Sequence, residues 1–348
     1  MTKNFKSDNY FGVHPQIWEA MMGANEGSAG SYGHDKYTEE LKEKLTELFE
    51  HDVSIFLVST GTISNCLSIS ALCPPYGTVY STEEAHINND ECNAPGFYLN
   101  GSRVSMCTDP SRPSKLDLSK IEFDIKNSLD NRPHKTKPSC ITVTQSTELG
   151  QVYSLAELRE IQDFAKKYNL KIHMDGARFA NALVTLGCTP AEMTWKVGVD
   201  ILSFGCTKNG GLMGEVIVIF NKDIAEEFDY LHKRSGQLLS KTRFFAAQVL
   251  GYLRDDLWLK MARHSNSVAK KFEELLKEVP ALSSTTEVPA NELFIKMPKE
   301  VAEALWAEGF EFYVWDVAAS SYRFVTSWAT SEESVVEFIK AAKRITSK

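Results

Sequence analysis

The sequence predicts an α/β fold with a mainly parallel sheet, followed by a smaller C-terminal α+β unit, and three observations carry that expectation. Uninterrupted apolar runs recur at SIFLV (54–58), CITVT (140–144), KIHM (171–174), DILSF (200–204) and EVIVIF (215–220). Amphipathic helical patterns fill several of the intervals between them. After about residue 250 the order changes to a long helical stretch, a group of strand-like runs and a closing helix. Runs that do not alternate with polar residues belong to strands covered on both faces, as in parallel sheets flanked by helices. The expected division is a large domain over 1–250, including an N-terminal arm, and a smaller domain over 251–348.

The individual elements follow from local pattern. Over 36–50, Leu41, Leu45, Leu48 and Phe49 fall on one helical face, and LAELREIQDFAKKY at 155–168 repeats that periodicity. In SIFLVSTGTISNCLSIS a strand runs into Thr60-Gly61-Thr62 and then a helix, with Thr62 as a candidate cap. Beyond residue 250 the pattern gives a helix over 255–278, strands at LFIKM (293–297), FEFYV (310–314) and YRFVTS (322–327), and a helix near 331–346. VPALSSTTEVPA at 279–290 reads as a connection.

Composition narrows the function classes. The formal charge of −8 gives no basic footprint for nucleic acid, and no apolar run is long enough to span a bilayer, so neither nucleic acid nor membrane is expected as a partner. The seven cysteines form no CxxC pair and MTKNFKSDNY is not an apolar secretion signal, which points to reduced thiols in the cytoplasm. The eight histidines lack HExxH or comparable spacing, and no metal is expected.

The chemistry is concentrated in KIHMDGARFA (171–180) and SFGCTKNGG (203–211), which deliver Asp175 and Lys208 from two strand ends. A carboxylate and an amine in one crevice can hold pyridoxal phosphate (PLP): the amine forms a Schiff base and the carboxylate keeps the pyridine nitrogen protonated. Asp-Gly turns and Lys beside Gly also occur as ordinary loop chemistry. The turn at Gly61 and Thr62 can aim backbone N–H groups and a helix N-terminus at a phosphate, or serve only as a tight turn.

Together these segments resemble the low-specificity L-threonine aldolases, within the β-eliminating lyase group of fold-type-I (aspartate-aminotransferase-like) PLP enzymes. The resemblance runs through SDNYFGVHP (7–15), YGHDKYTEELKEKL (32–45), STGTISN (59–65), EEAHINNDECNAPGF (83–97), HMDGARFANA (173–182), FGCTKNGG (204–211) and YRFVTSW (322–328). It implies Lys208 as the Schiff-base lysine, Asp175 as partner of the pyridine nitrogen and His86 stacked on the cofactor ring. Gly61 and Thr62 resemble the phosphate cup, with Ser203 close to it. Arg178 resembles the arginine that reaches the cofactor phenolate oxygen and the substrate, and Arg323 the one that clamps the substrate carboxylate, with Ser7 as a further contact. A planar guanidinium suits that task because it donates two parallel hydrogen bonds to one carboxylate.

Two departures from the pattern bear on the reaction. Thr147-Glu148-Leu149-Gly150 stands where another branch has Thr-His-Asn-Gly, and Thr207-Lys208-Asn209-Gly210 where a Ser-Lys-Gly signature is found. The first leaves the catalytic base open among His86, Glu148 and a bound water. The implied reaction is aldol cleavage of L-threonine, L-allo-threonine and related β-hydroxy-α-amino acids to glycine and an aldehyde. β-Elimination, transamination and a non-catalytic regulator on the same fold are the alternatives. The resemblance also implies a homodimer or homotetramer, with Tyr32 and Arg243 as candidates contributed to a neighbouring subunit's site. Packing beside a glycine turn and a solvated helix face are their plain alternatives.

Overall fold

The computed structural model describes residues 2–347. Seven strands form the large sheet: β1 Ser54–Val58, β2 Gly77–Ser81, β3 Arg103–Met106, β4 Lys137–Thr144, β5 Lys171–Gly176, β6 Ile201–Phe204 and β7 Glu215–Ile219. Their order is β1-β7-β6-β5-β4-β2-β3. β3, β2, β4, β5 and β6 pair in parallel, while β7 runs antiparallel to both β6 and β1. Every residue of β2, β6 and β7 is buried, which is why their sequences do not alternate. GTVYS (77–81) and RVSM (103–106) escaped the sequence reading. The first carries Gly, Thr and Ser into a buried strand, and the second is a short, half-polar edge strand.

The flanking helices bear out the periodic signals. In Lys36–Phe49, Leu41, Leu45 and Phe49 are fully buried and Leu48 packs at the edge of the same core. Asp35 caps this helix by accepting from the Tyr37 and Thr38 amides. Leu155–Tyr168 starts in a capping box of Ser154 and Glu157. Gly61–Leu72 begins directly after β1, and its cap is Thr60, whose side chain accepts from the Ile63 amide, rather than Thr62.

A second, antiparallel sheet contains β8 Ser283–Ser284, β9 Glu292–Lys296, β10 Tyr313–Asp316 and β11 Ser321–Val325, in the order β8-β9-β11-β10. The expected strand at 310–314 begins later. Phe310 and Phe312 turn into the core, and Glu311 pairs with the N-terminal arm, its amide donating to Lys3 O and its carbonyl accepting from the Phe5 amide. The helix Leu257–Leu276 joins the two cores: Leu257, Trp258, Met261 and Ala262 pack with the large sheet, and Val268, Ala269, Phe272 and Leu276 with the small one. Among the described residues no helix is long and apolar enough to cross a membrane.

Phe5 fastens the arm to the small sheet. It is fully buried, its ring lies 5.3 Å from Phe272 and 6.0 Å from both Phe324 and Phe338, and its carbonyl accepts from the Val325 amide. Phe5→Ala is expected to cost about 3–5 kcal/mol, the range for emptying a buried aromatic site. A shift in the denaturant midpoint measures this; a loss below about 1 kcal/mol would mean the arm is not held by that ring.

Candidate active site

The C-terminal ends of β4, β5 and β6 lie level, with Thr144 opposite Asp175 and Asp175 opposite Ser203. At such an edge an open α/β sheet presents its crevice. A cavity of about 410 Å³ opens there, lined by Gly61, Thr62, His86, Glu148, Asp175, Arg178 and Lys208 among others. A second, of about 400 Å³, adjoins it and is lined by Ser7, Glu292, Tyr313, Trp315 and Arg323. His86, Glu148, Arg178, Lys208 and Asn9 line both.

Lys208 sits in the short turn Thr207–Asn209 after β6. Asn209 is buried and its side-chain amide donates to Tyr252 Oη (3.0 Å) and Trp258 O (2.9 Å), bolting the turn to the core. Gly210 follows at φ +95°, a conformation L side chains rarely adopt, and a Cβ there would lie 2.9 Å from Met261 Sδ. The Thr-Lys-Asn-Gly sequence thus has a packing reason for both its Asn and its Gly.

Asp175 ends β5 with its carboxylate accepting from the Asn65 side chain (2.7 Å) and the Ala177 amide (2.9 Å). Asn65 also donates to Glu91 Oε1 (3.0 Å), the atom that accepts from His86 Nδ1 (2.9 Å). A continuous buried path therefore runs from the His86 ring through Glu91 and Asn65 to Asp175. The Glu91 hydrogen bond, with the Asp175 charge, raises the His86 pKa against the effect of burial.

Glu148 occupies the junction of the cavities. Its Oε1 accepts from the His86 amide (2.9 Å) and Thr144 Oγ1 (2.8 Å), while Oε2 is buried with no hydrogen-bond partner among the described residues. Burial, reinforced by the Asp175 charge, pushes this carboxyl up to about 7. Glu215, on the far side of Lys208, is also pushed up to about 7 by burial; its Oε2 accepts from the Cys206 amide.

Arg178 is engaged by the protein itself. Nε and Nη2 donate to Asp8 (2.8 and 3.1 Å), and Nη1 lies 3.3 Å from Glu292 Oε2. Burial opposes ionisation of Asp8, but the Arg178 charge and hydrogen bonds overcome it and hold the carboxyl below its ordinary range. Arg323, by contrast, has a buried Nε without a hydrogen-bond partner among the described residues, and its guanidinium packs on Tyr313 and Trp315 at 5.5 and 5.7 Å from the ring centres. Ser7 lines the same cavity, with its hydroxyl accepting from the Asn9 amide.

Three of the expected residues line neither cavity of this chain, two of them, Tyr32 and Arg243, having been expected at a neighbouring subunit's site. Ser203 does not line the cavity: it is buried beneath it, accepting from Ser64 Oγ (2.7 Å) and bonded to His173 Nε2 (3.1 Å). Tyr32 is 46% exposed under Lys233, and Arg243 opens the helix Arg243–Leu253 with its guanidinium over Phe244; neither lines either cavity of its own chain. The residues that sequence reasoning missed are Asn65, Glu91, Asp8, Glu292 and Glu215. Glu91 stands five positions after His86 and Asp8 directly follows Ser7, so both lay inside motifs already singled out. Glu292 had no such signal, being the first residue of an apolar strand.

The residues present fit PLP. The amides of Gly61 and Thr62 open the first turn of the Gly61–Leu72 helix, where no intrahelical carbonyl meets them, and a Cβ at Gly61 would touch nothing within 4 Å. That is an anion site at one end of the inner cavity. Asp175 supplies the counter-charge for a ring nitrogen, Lys208 the amine, and the buried free oxygens of Asn65 and Glu148 remain available to a polar ligand.

Residues 4–299 match the family model described as Beta-eliminating lyase. The chain is 42% identical to the low specificity L-threonine aldolase of Pseudomonas aeruginosa over 340 residues, covering 97% of this chain and 96% of that one. It is 27% identical to the low specificity L-threonine aldolase of Escherichia coli over 334 residues, covering 96% of each. Among solved structures, threonine aldolase from Leishmania major superposes with a TM-score of 0.90 at 27% identity, covering 98% of this chain and 99% of that chain.

Replacing Glu91 by Gln removes the carboxylate that accepts from His86, so the His86 midpoint is expected to fall. NMR titration of labelled histidine, with His86→Gln assigning the resonance, reads this. An unmoved midpoint would show that Glu91 does not govern the ring.

Proposed function

The chain belongs to the beta-eliminating lyase family, and from that premise we infer that it is a PLP-dependent carbon–carbon lyase that cleaves L-threonine and related β-hydroxy-α-amino acids to glycine and an aldehyde. The observation that carries this reading is the shared wall of the two cavities. Lys208, His86, Glu148 and Arg178 stand between a compartment suited to the cofactor and one containing an arginine free to take a carboxylate.

PLP, when bound, supplies an electron sink that lets a bond at the amino acid's Cα break heterolytically. Lys208 would hold it covalently, with Asp175 at the ring nitrogen, His86 on the ring face and the Gly61 and Thr62 amides on the phosphate. Arg323 receives the substrate carboxylate, and Ser7 offers a hydroxyl beside it. Arg178, fixed by Asp8, forms a rigid positive wall rather than a mobile clamp.

Glu148 is the group best suited to take the β-hydroxyl proton. One oxygen is tied to the His86 amide and Thr144, so the carboxylate cannot rotate freely, and the other is left for substrate. A carboxyl titrating at about 7 is part ionised at neutral pH, the condition under which a general base is most effective. In cleavage Oε2 accepts the hydroxyl proton as the Cα–Cβ bond breaks and the aldehyde carbonyl forms. β-Elimination or transamination would use the same Lys208 and Asp175, and product identity separates them.

A homodimer or homotetramer is part of the proposal, supported by Tyr32 and Arg243, expected at a neighbouring subunit's site, lining neither cavity of their own chain. So is a cytoplasmic location, supported by seven free cysteines. We also keep the division into domains over 1–250 and 251–348.

Purified, PLP-loaded protein is expected to release glycine and acetaldehyde from L-threonine in equal amounts. Lys208→Ala should abolish this; a near-normal rate in the variant would overturn the assignment. Glu148→Gln is expected to lower kcat by about 10²–10⁴-fold and to erase an acid limb near pH 7, since below that pH the carboxyl already carries its proton. An acid limb that survives in this variant would assign the base elsewhere. Arg323→Ala should act mainly on KM, as loss of a ground-state contact does; unchanged saturation would remove it from the carboxylate role.

A further inference from the structure

Two carboxyls crowd one guanidinium at the inner wall of the outer cavity. Asp8 holds the bidentate position on Arg178 and also accepts from the Asn291 side chain (3.1 Å). Glu292 stands 3.3 Å from Arg178 Nη1 with its side chain wholly buried, and neither of its oxygens makes a hydrogen bond among the described residues. The Thr147–Gly150 turn closes over it: a Cβ at Gly150 would lie 3.1 Å from both Glu292 Cβ and Glu292 O. On the neighbouring strand β11, where Val325 pairs with Glu292 and Arg323 with Phe294, Arg323 carries a buried Nε with no hydrogen-bond partner among the described residues.

The charges that reach Glu292 come from every wall. Arg178 follows β5, Arg323 lies on β11, Lys208 follows β6 and Asp8 belongs to the arm. Glu148 and Asp90 are the remaining carboxyls lining the cavity. One carboxylate neutralises one guanidinium, and Asp8 already does so for Arg178. If Lys208 is committed to the cofactor and Arg323 to an incoming carboxylate, an ionised Glu292 is a surplus negative charge buried beside two others.

We propose that Glu292 is the proton-linked element of the carboxylate pocket: when Arg323 receives an amino-acid carboxylate, Glu292 takes up one proton from solvent and, as a carboxylic acid, donates a hydrogen bond inside the pocket. This rests on the reading of the outer cavity as an amino-acid site. No bond to carbon is made or broken. Burial already raises the Glu292 pKa against the opposing Arg178 and Arg323 charges. Placing an anion on Arg323 cancels part of that opposition, so the pKa rises further in the complex. The bound state therefore holds more protons than the free state between the two midpoints, and affinity falls as pH rises across that interval.

The test is glycine binding to the PLP-loaded enzyme, followed by calorimetry in buffers of different ionisation enthalpy from about pH 5, just above the ordinary carboxyl range, to about pH 9. Wild type, Glu292→Gln and Glu292→Leu are compared, with their melting temperatures. Groups common to all three, including the glycine amine and Lys208, cancel in the comparison. Wild type is expected to take up more protons per glycine than either variant, by up to about one, and to lose affinity more steeply with pH, by up to about tenfold per unit. The Gln variant, which can still donate, should bind glycine more tightly than the Leu variant. Equal proton counts and parallel pH curves in folded variants would overturn the proposal and leave Glu292 as a second, ionised partner of Arg178. A wild-type protein that binds no glycine would overturn the reading of the site itself, and the proposal with it.

Discussion

The ion pair between Asp8 and Arg178 is the constraint on which the outer half of the site depends, because each partner comes from a different part of the fold. Asp8 belongs to the arm that Phe5 fastens to the small sheet, Arg178 follows the central strand β5, and Asn291, just before β9, donates to the same carboxylate. A buried pair of this kind contributes little net stability, since desolvation offsets most of the attraction, whereas losing one partner strands the other charge at about 3–5 kcal/mol. Its effect is orientation: the bidentate contact fixes the guanidinium plane, and with it the wall that both cavities share.

The same burial acts differently on the acids around Lys208. Asp175 accepts from the Asn65 side chain and the Ala177 amide, two donors held by the fold. Glu148 has donors on one oxygen only and a neighbouring negative charge in Asp175, so burial moves it to about 7, where it can exchange a proton. Glu292 has no hydrogen-bond donor at all and is raised despite two nearby arginines. A graded supply of donors thus separates a hydrogen-bonded partner for the ring nitrogen, a proton acceptor and a buried carboxyl that responds to its neighbours' charge.

How much of this was legible in the sequence follows from how local each signal is. Lys208, Asp175 and Glu148 sit at or just after the ends of strands marked by apolar runs, so the pattern that gave the parallel sheet also brought them to one edge. His86 follows β2, which that pattern missed, and was found through its motif. Ser203, expected close to the phosphate cup, is the register partner of Asp175 and accepts from Ser64 in the first turn of the Gly61–Leu72 helix, so it stands next to that turn without lining the cavity. The Glu91–Asn65–Asp175 path joins separate segments through side chains, and Glu292 enters the site only because the small sheet docks there. Neither arrangement has a periodic signature. GTVYS was lost for another reason: its strand formers Thr, Val and Tyr are only three in number and bracketed by Gly and Ser, too short a run to stand out.

The helix Leu257–Leu276 sets how much this arrangement can give. Its first half packs with the large core, beside the Trp258 carbonyl that accepts from Asn209, and its second half fills the small core around Phe272. Movement of the small sheet relative to Lys208 would have to break one of those contacts, so the inner cavity and the Arg323 side of the outer one are held as one body. The edge strand β10 is different. Tyr313, Val314 and Trp315 are 38–46% exposed and line the outer cavity from the solvent side. On the proposed reading, the substrate carboxylate meets Arg323, packed on Tyr313 and Trp315, and the β-substituent can extend along this open aromatic edge. Apolar contact there distinguishes substituents weakly, since a methylene is worth only about 1–3 kcal/mol even in a closed pocket. A strict demand at Cα and a loose one beyond Cβ then follow from the same geometry.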